Sequence, residues 1–271
     1  MKIKLQQAEE TFGPAQARDC DLLLAIGRER MSFAVISTGH ELMALSEILS
    51  GPDDLPGVYS AFPLLSYPYR RVRISVGTSK FTLIPGEVFA ENQLSNYARF
   101  VKPQQSSDVL YTDVPGFGIR NLAAVETAWQ QTLKSYFPEA EITSQIDPFL
   151  CGISRRLPEG DASWYFNLGD RSFEAALVRE GRLLFCNIFE IAGPDDFNYF
   201  LLLLLKEFPE AARCKAVVSG NIGTEDPFYL RLTKYFREIE TADMTWVKRS
   251  ERFSAVPFHH YSTLLNLILC G

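Results

Sequence analysis

The chain has 271 residues, a net charge of −6 at pH 7, 46% hydrophobic residues and 22% charged ones. That composition supports a sizeable packed core and excludes a largely disordered chain. The acidic balance supplies no basic field for general nucleic-acid binding. Five cysteines, Cys20, Cys151, Cys186, Cys214 and Cys270, are scattered and show no Cys-x-x-Cys or Cys-plus-His spacing. Buried, inert thiols are expected, and no metal site.

The N-terminal run MKIKLQQAEETFG is polar and lacks the apolar stretch of a secretion signal. Strands are expected over 22–26 and 33–37, and a third over 40–49. Residues 50–57 (GPDDLPG within them) read as a loop. Val72, Ile74 and Val76 alternate, as do Phe81 and Leu83, so a hairpin is expected with Gly77-Thr78-Ser79-Lys80 as its turn. A helix is expected from Pro85-Gly86-Glu87 to about residue 100, a short strand over 108–111, and a helix over 119–135, where Val125, Trp129 and Leu133 recur every four residues. Pro138 ends it.

The second half gives strands near Ser163, Phe173 and 182–191. Gly193-Pro194-Asp195-Asp196 marks a helix start, because proline tolerates the first turn and acids face the positive end of the helix dipole. That helix reaches Phe208 and holds five consecutive leucines, with Lys206 and Glu207 next. A membrane span needs about 20 apolar residues, so a buried helix is expected and no span. KAVVS at 215–219 reads as a buried strand running into Gly220-Asn221-Ile222-Gly223. A helix carrying Phe228, Leu232, Tyr235 and Phe236, a strand over 244–247 and a helix over 259–269 complete the chain.

One pattern occurs twice. LLLAIGRERMSFAVIS at 22–37 and SWYFNLGDRSFEAALV at 163–178 are each an apolar strand, a glycine, a charged turn and Ser-Phe opening another strand. Both lead to a third strand. The repetition predicts two lobes with related openings.

That order, occurring twice, resembles the actin-like ATPase superfamily, which includes actin, the Hsp70 chaperones and sugar kinases. The resemblance is carried by residues 142–223. IDPFLCG at 146–152 is similar to the carboxylate-Pro-small segment preceding the second hairpin. The stretch 163–178 resembles the second phosphate hairpin, AGPDDFNYF at 192–200 the Gly-Gly-x-Asp-Phe helix start, and VVSGNIG at 217–223 the adenosine motif. The whole chain further resembles an uncharacterised bacterial family of this fold. The resemblance implies a two-lobed α/β protein of ribonuclease H-like topology, each lobe a mixed sheet opening with three antiparallel strands and flanked by helices. It implies lobes 1–145 and 146–271, with a hairpin-helix insertion near 57–101.

In the family, two Gly-rich hairpins hold nucleotide phosphates through backbone amides, and carboxylates position Mg²⁺ or activate the nucleophile. Here Ala25 and Asn167 stand where those carboxylates belong, and charged residues follow Gly27 and Gly169 in place of further glycines. The resemblance makes Gly27, Asn167, Gly169, Ser219, Gly220 and Asn221 the candidate nucleotide contacts, for ATP or ADP with Mg²⁺. Asp147 and Asp170, with Asp113 further off, are the candidate catalytic acids. The expectation is a cytoplasmic module that binds a nucleotide or an unidentified protein partner, with hydrolysis lost or very feeble. The alternative is an active Mg-dependent ATPase or small-molecule kinase.

Overall fold

The computed structural model describes residues 1–101, 106–157 and 162–270. By packing, the chain parts into two compact units, Met1–Cys151 with Thr245–Val256 and Thr263–Gly271, and Gly152–Met244 with Pro257–Ser262.

The first unit is built on six strands: β1 (Lys2–Ala8), β2 (Cys20–Ile26), β3 (Met31–Ser37), β4 (Leu42–Leu49), β5 (Arg71–Val76) and β9 (Glu141–Ser144), in the order β1-β4-β3-β2-β5-β9. The first four pair antiparallel, while β5 runs parallel to β2 and β9 parallel to β5. Both faces of the central strands are buried, which explains their nearly unbroken apolar composition. Leu22, Leu24 and Ile26 join Phe33, Val35, Phe62, Ile74 and Leu133 in one core. Leu23, Ala34 and Ile36, on the opposite face, are equally inaccessible. The shorter helices α1 (Pro14–Ala17) and α2 (Leu55–Ala61), with α4 (Thr127–Tyr136) and α5 (Ile146–Ser154), belong to this unit, α5 ending just past its boundary.

Between β5 and β9 lies a separate antiparallel sheet, β6 (Phe81–Pro85), β7 (Ser107–Val114) and β8 (Ile119–Glu126), in the order β6-β8-β7. Helix α3 (Leu94–Val101) closes a small core of Ile84, Val101, Leu122 and Ala124 upon it.

The second unit has five strands: β10 (Ser163–Leu168), β11 (Ser172–Arg179), β12 (Arg182–Glu190), β13 (Lys215–Gly220) and β14 (Ile239–Thr241), in the order β12-β11-β10-β13-β14. With β1 set aside, this is the first sheet's order and direction again: three antiparallel strands, then two parallel ones. Helices α6 (Pro194–Glu207) and α7 (Pro227–Leu232) pack with it around Trp164, Phe166, Phe173 and Phe197; α8 (Ser262–Leu265) starts at the last residue of this unit, its other three residues belonging to the first. No helix among the described residues is long and apolar enough to cross a membrane.

Several elements differ from the sequence expectation. The hairpin over 72–84 does not form. Its arms are β5, buried between parallel neighbours in the main sheet, and β6, an edge strand of the small one. The Gly77–Lys80 turn is real but connects two sheets, and the Gln145 side chain clamps it by accepting from Thr78 N and donating to Thr78 O, both at 2.8 Å. The helix over 119–135 is half strand: β8 takes 119–126, where pairing on both sides outweighs the four-residue spacing, and α4 begins at Thr127. The helix from 85 to 100 is two short 3₁₀ turns before α3, and α2 begins inside the expected loop. β1 and β9 were not foreseen. The strand over 244–247 is absent, with β14 lying earlier. The final helix is a four-residue α8 between two 3₁₀ turns, 258–261 and 266–269. The cut at 145/146 assigned all of the C-terminal stretch to the second lobe. Packing instead returns two pieces to the first unit, where Leu42 N donates to Lys248 O at 2.9 Å and Arg73 Nη1 donates to Ile268 O at 3.1 Å.

Candidate functional site

The parallel pair β10 and β13 ends at one edge, and the register places Asn167 beside Ser219 and Leu168 beside Gly220. On the other side of β10, Asn167 faces Glu174 of β11. These neighbours are bonded. Asn167 Nδ2 donates to Glu174 Oε2 at 2.7 Å, and Ser219 Oγ donates to Asn167 Oδ1 at 2.8 Å. Ser262 Oγ reaches the same oxygen at 3.4 Å. All four side chains are buried. A buried amide bonded at both ends is held in one orientation, because leaving either end unmatched costs a desolvated polar group.

Gly220 turns the chain out of the sheet with φ +77°. A Cβ there would stand 2.2 Å from Leu168 O and 2.9 Å from Asn167 Oδ1, so only glycine fits. The turn is pinned by Asn221 N donating to Leu168 O at 2.7 Å. Beyond it, the Nε2 atoms of His259 and His260 each lie 3.0 Å from Ile222 O. The hairpin turn itself is closed by Gly169 N donating to Ser172 O at 2.8 Å, and Gly169 and Asp170 are exposed.

The first unit repeats this frame with other side chains. Ala25 pairs with Ser32 on one side and Ser75 on the other, as Asn167 does with Glu174 and Ser219. Gly27 N donates to Arg30 O at 2.8 Å, the same turn closure. Where the second unit has an amide joining an acid to a hydroxyl, the first has a methyl group. The turn is also approached closely from outside: a Cβ on Gly51 would lie 2.8 Å from Arg28 O.

Asp147 sits in the first turn of α5 and is completely buried. Its Oδ2 accepts from Ser144 N at 3.0 Å, from Ser144 Oγ at 2.9 Å and from Thr143 Oγ1; Oδ1 accepts from Asn121 Nδ2 at 3.1 Å. Burial pushes its carboxyl above the usual range, and the bonds from Thr143, Asn121 and Ser144 oppose that shift. Asp113 lies on exposed β7 and pairs with Arg120.

Thus Asn167, Gly169, Ser219, Gly220 and Asn221 are gathered at one sheet edge, with Asp170 on the adjoining turn. Gly27 and Asp147 lie in the first unit. Sequence reasoning passed over Glu174 and Ser262. Glu174 had one signal, an acid inside the apolar run SFEAALV; Ser262, 95 residues from Asn167, had none. The fit to Mg²⁺-nucleotide is poor. Ala25 offers no ligand, Asn167 spends both amide atoms on neighbours, and the oxygens of Asp147 are taken up by protein donors. Among the described residues no cluster of three or more His, Cys, Asp or Glu is placed to hold a metal.

The strand order, repeated in two units with a glycine turn after each first strand, is that of the actin-like ATPase fold. A protein from Bacteroides thetaiotaomicron VPI-5482, described as having that fold and unknown function, aligns with a TM-score of 0.75 at 20% identity, covering 94% of this chain and 98% of its own. The PilM-PilN type IV pilus biogenesis complex supplies another similar chain, with a TM-score of 0.63 at 15% identity and coverage of 93% and 98%. The ethanolamine utilization protein EutJ from Carboxydothermus hydrogenoformans aligns at 0.50 with 8% identity, covering 93% and 89%. Comparison with curated proteins gives no match. The chain belongs to the family described as "Protein of unknown function (DUF3822)", whose model matches residues 9–239.

Proposed function

We propose that this protein is an actin-like module that has given up phosphate-transfer chemistry and works by binding, with a protein partner as its main ligand. The observation that carries the reading is the Glu174–Asn167–Ser219 lock. At the position where the fold's ATPases carry an acid, this chain has a neutral amide consumed by buried neighbours. The matching position of the first unit is Ala25, which offers no polar group. Losing a general base alone costs about 10²–10⁴ in rate, and here both carboxylate positions are altered. The likeness to a PilM chain solved in complex with PilN supports a partner-binding role. The repeated strand order supports an origin by internal duplication. A cytoplasmic location belongs to the same proposal.

The test is turnover of Mg-ATP by the full chain, alongside thermal shifts with ATP, ADP and GTP. The proposal expects no phosphate release above the protein-free blank. Turnover that follows the protein through purification and falls in Asp170→Asn or Asp147→Asn would establish the active-ATPase alternative.

A further inference from the structure

From Tyr199 to Leu205 helix α6 is apolar on every side, although only one side faces the core. Phe197, Leu201 and Leu204 are buried against the sheet. Tyr199, Leu202 and Leu203, on the far side, are 59%, 46% and 45% exposed, and Leu230 of the neighbouring α7 is 51% exposed. A helix apolar all round is ordinarily covered on both sides. Its exposed stripe also has an ordered pattern: Asp195, Tyr199, Leu202 and Lys206 follow one another at spacings of four, three and four. Such a spacing keeps one seam along a helix and suits packing against a second helix.

Read in opposite directions, the seam complements itself. About a two-fold axis between residues 200 and 201, Asp195 of one copy meets Lys206 of the other, and Tyr199 meets Leu202, each pair occurring twice. Asp195 and Lys206 are both exposed, and Asp195 already bonds Arg231 of α7 at 2.8 Å, which holds it at the edge of the patch. Antiparallel helices also set opposite dipole ends side by side. We infer that α6 is a self-association surface, through which two copies of this chain pair antiparallel by Tyr199, Leu202 and Leu203 with Asp195–Lys206 bridges at both ends. The inference is independent of the pseudo-enzyme reading. A stable interface buries about 800 Å² per partner. A 14-residue helix, about 21 Å long, with Leu230 beside it, supplies less, so the dimer is a weak and reversible one.

Sedimentation velocity of the full chain over a concentration series tests it. Wild type is expected to move from monomer to dimer as concentration rises. Leu202→Glu is expected to weaken the dimer at least about tenfold. Since position 202 faces solvent, the thermal melt should be unchanged. Asp195→Lys and Lys206→Asp should each weaken association, and the two together should restore it. Three results would overturn the inference: a wild type that stays monomeric at the highest soluble concentration, a dimer indifferent to Leu202→Glu, or a double charge reversal that fails to recover pairing.

Discussion

Replacing Asn167 with aspartate restores the residue type the fold's ATPases carry, and the structure says it will not be tolerated. The Asn167 amide donates to Glu174 Oε2 at 2.7 Å inside a buried network. That bond to a carboxyl is worth about 1.5–3 kcal/mol. In Asn167→Asp a second carboxyl replaces the donor. If both groups ionise, unit charges about 4 Å apart repel by roughly 4 kcal/mol at an effective dielectric constant near 20. If the pair keeps one proton, holding it at neutral pH costs about 1.4 kcal/mol for each pH unit above the ordinary carboxylate value. Either route destabilises the variant by about 3–4 kcal/mol near pH 7. A carboxyl pair that retains a proton when folded binds it more tightly than the unfolded chain does. The deficit is therefore small near pH 4 and grows as pH rises. Melting followed by circular dichroism at pH 5 and pH 7.5 measures this. At roughly 2–4 °C per kcal/mol, the variant should melt about 6–16 °C below wild type at pH 7.5 and much closer to it at pH 5. A variant as stable as wild type at both pH values, or one rescued by Mg²⁺, would refute the argument, since the site would then accept an acid and a cation.

Gly220→Ala should destabilise by more than about 3 kcal/mol, because the new Cβ meets Leu168 O at 2.2 Å on a backbone with φ +77°; a denaturant midpoint near that of wild type would show that the turn can rearrange. Asp147→Asn keeps the shape of the side chain but puts two amide hydrogens among neighbouring donors where the protonated acid has one. A loss of about 1–3 kcal/mol is expected near pH 4. Burial raises the Asp147 carboxyl in the folded state, so its contribution is full below the unfolded value and declines as pH rises. The gap between variant and wild type should consequently narrow from pH 4 to pH 8, and a widening gap would mean that the protein donors outweigh desolvation.

The openings of both lobes were readable because β2, β3, β10 and β11 are apolar nearly throughout and are punctuated by Gly27 and Gly169. Such runs report burial on both faces, which is a local property. The expected hairpin failed for the opposite reason: alternation of Val72, Ile74 and Val76 marks a strand but says nothing about its neighbours, and those of β5 come from residues 20–26 and 141–144. Over 119–135, a strand and a helix meet at Glu126, and a spacing of four bridged the boundary between them. The site divided in the same way. Asn167 stood out as an amide in a family's acid position. That Ser219, already a candidate, and Glu174 bond to it became visible only through sheet register, and the part of Ser262 only through the return of residues 257–262 to the second unit.

The central claim is that this actin-like chain no longer performs phosphate transfer. The most direct measurement is phosphate release from ATP with Mg²⁺ by purified full chain, run beside Asp147→Asn and Asp170→Asn. The account predicts the same rate as the protein-free blank for all three proteins. A wild-type rate well above the blank that collapses in either variant would contradict it.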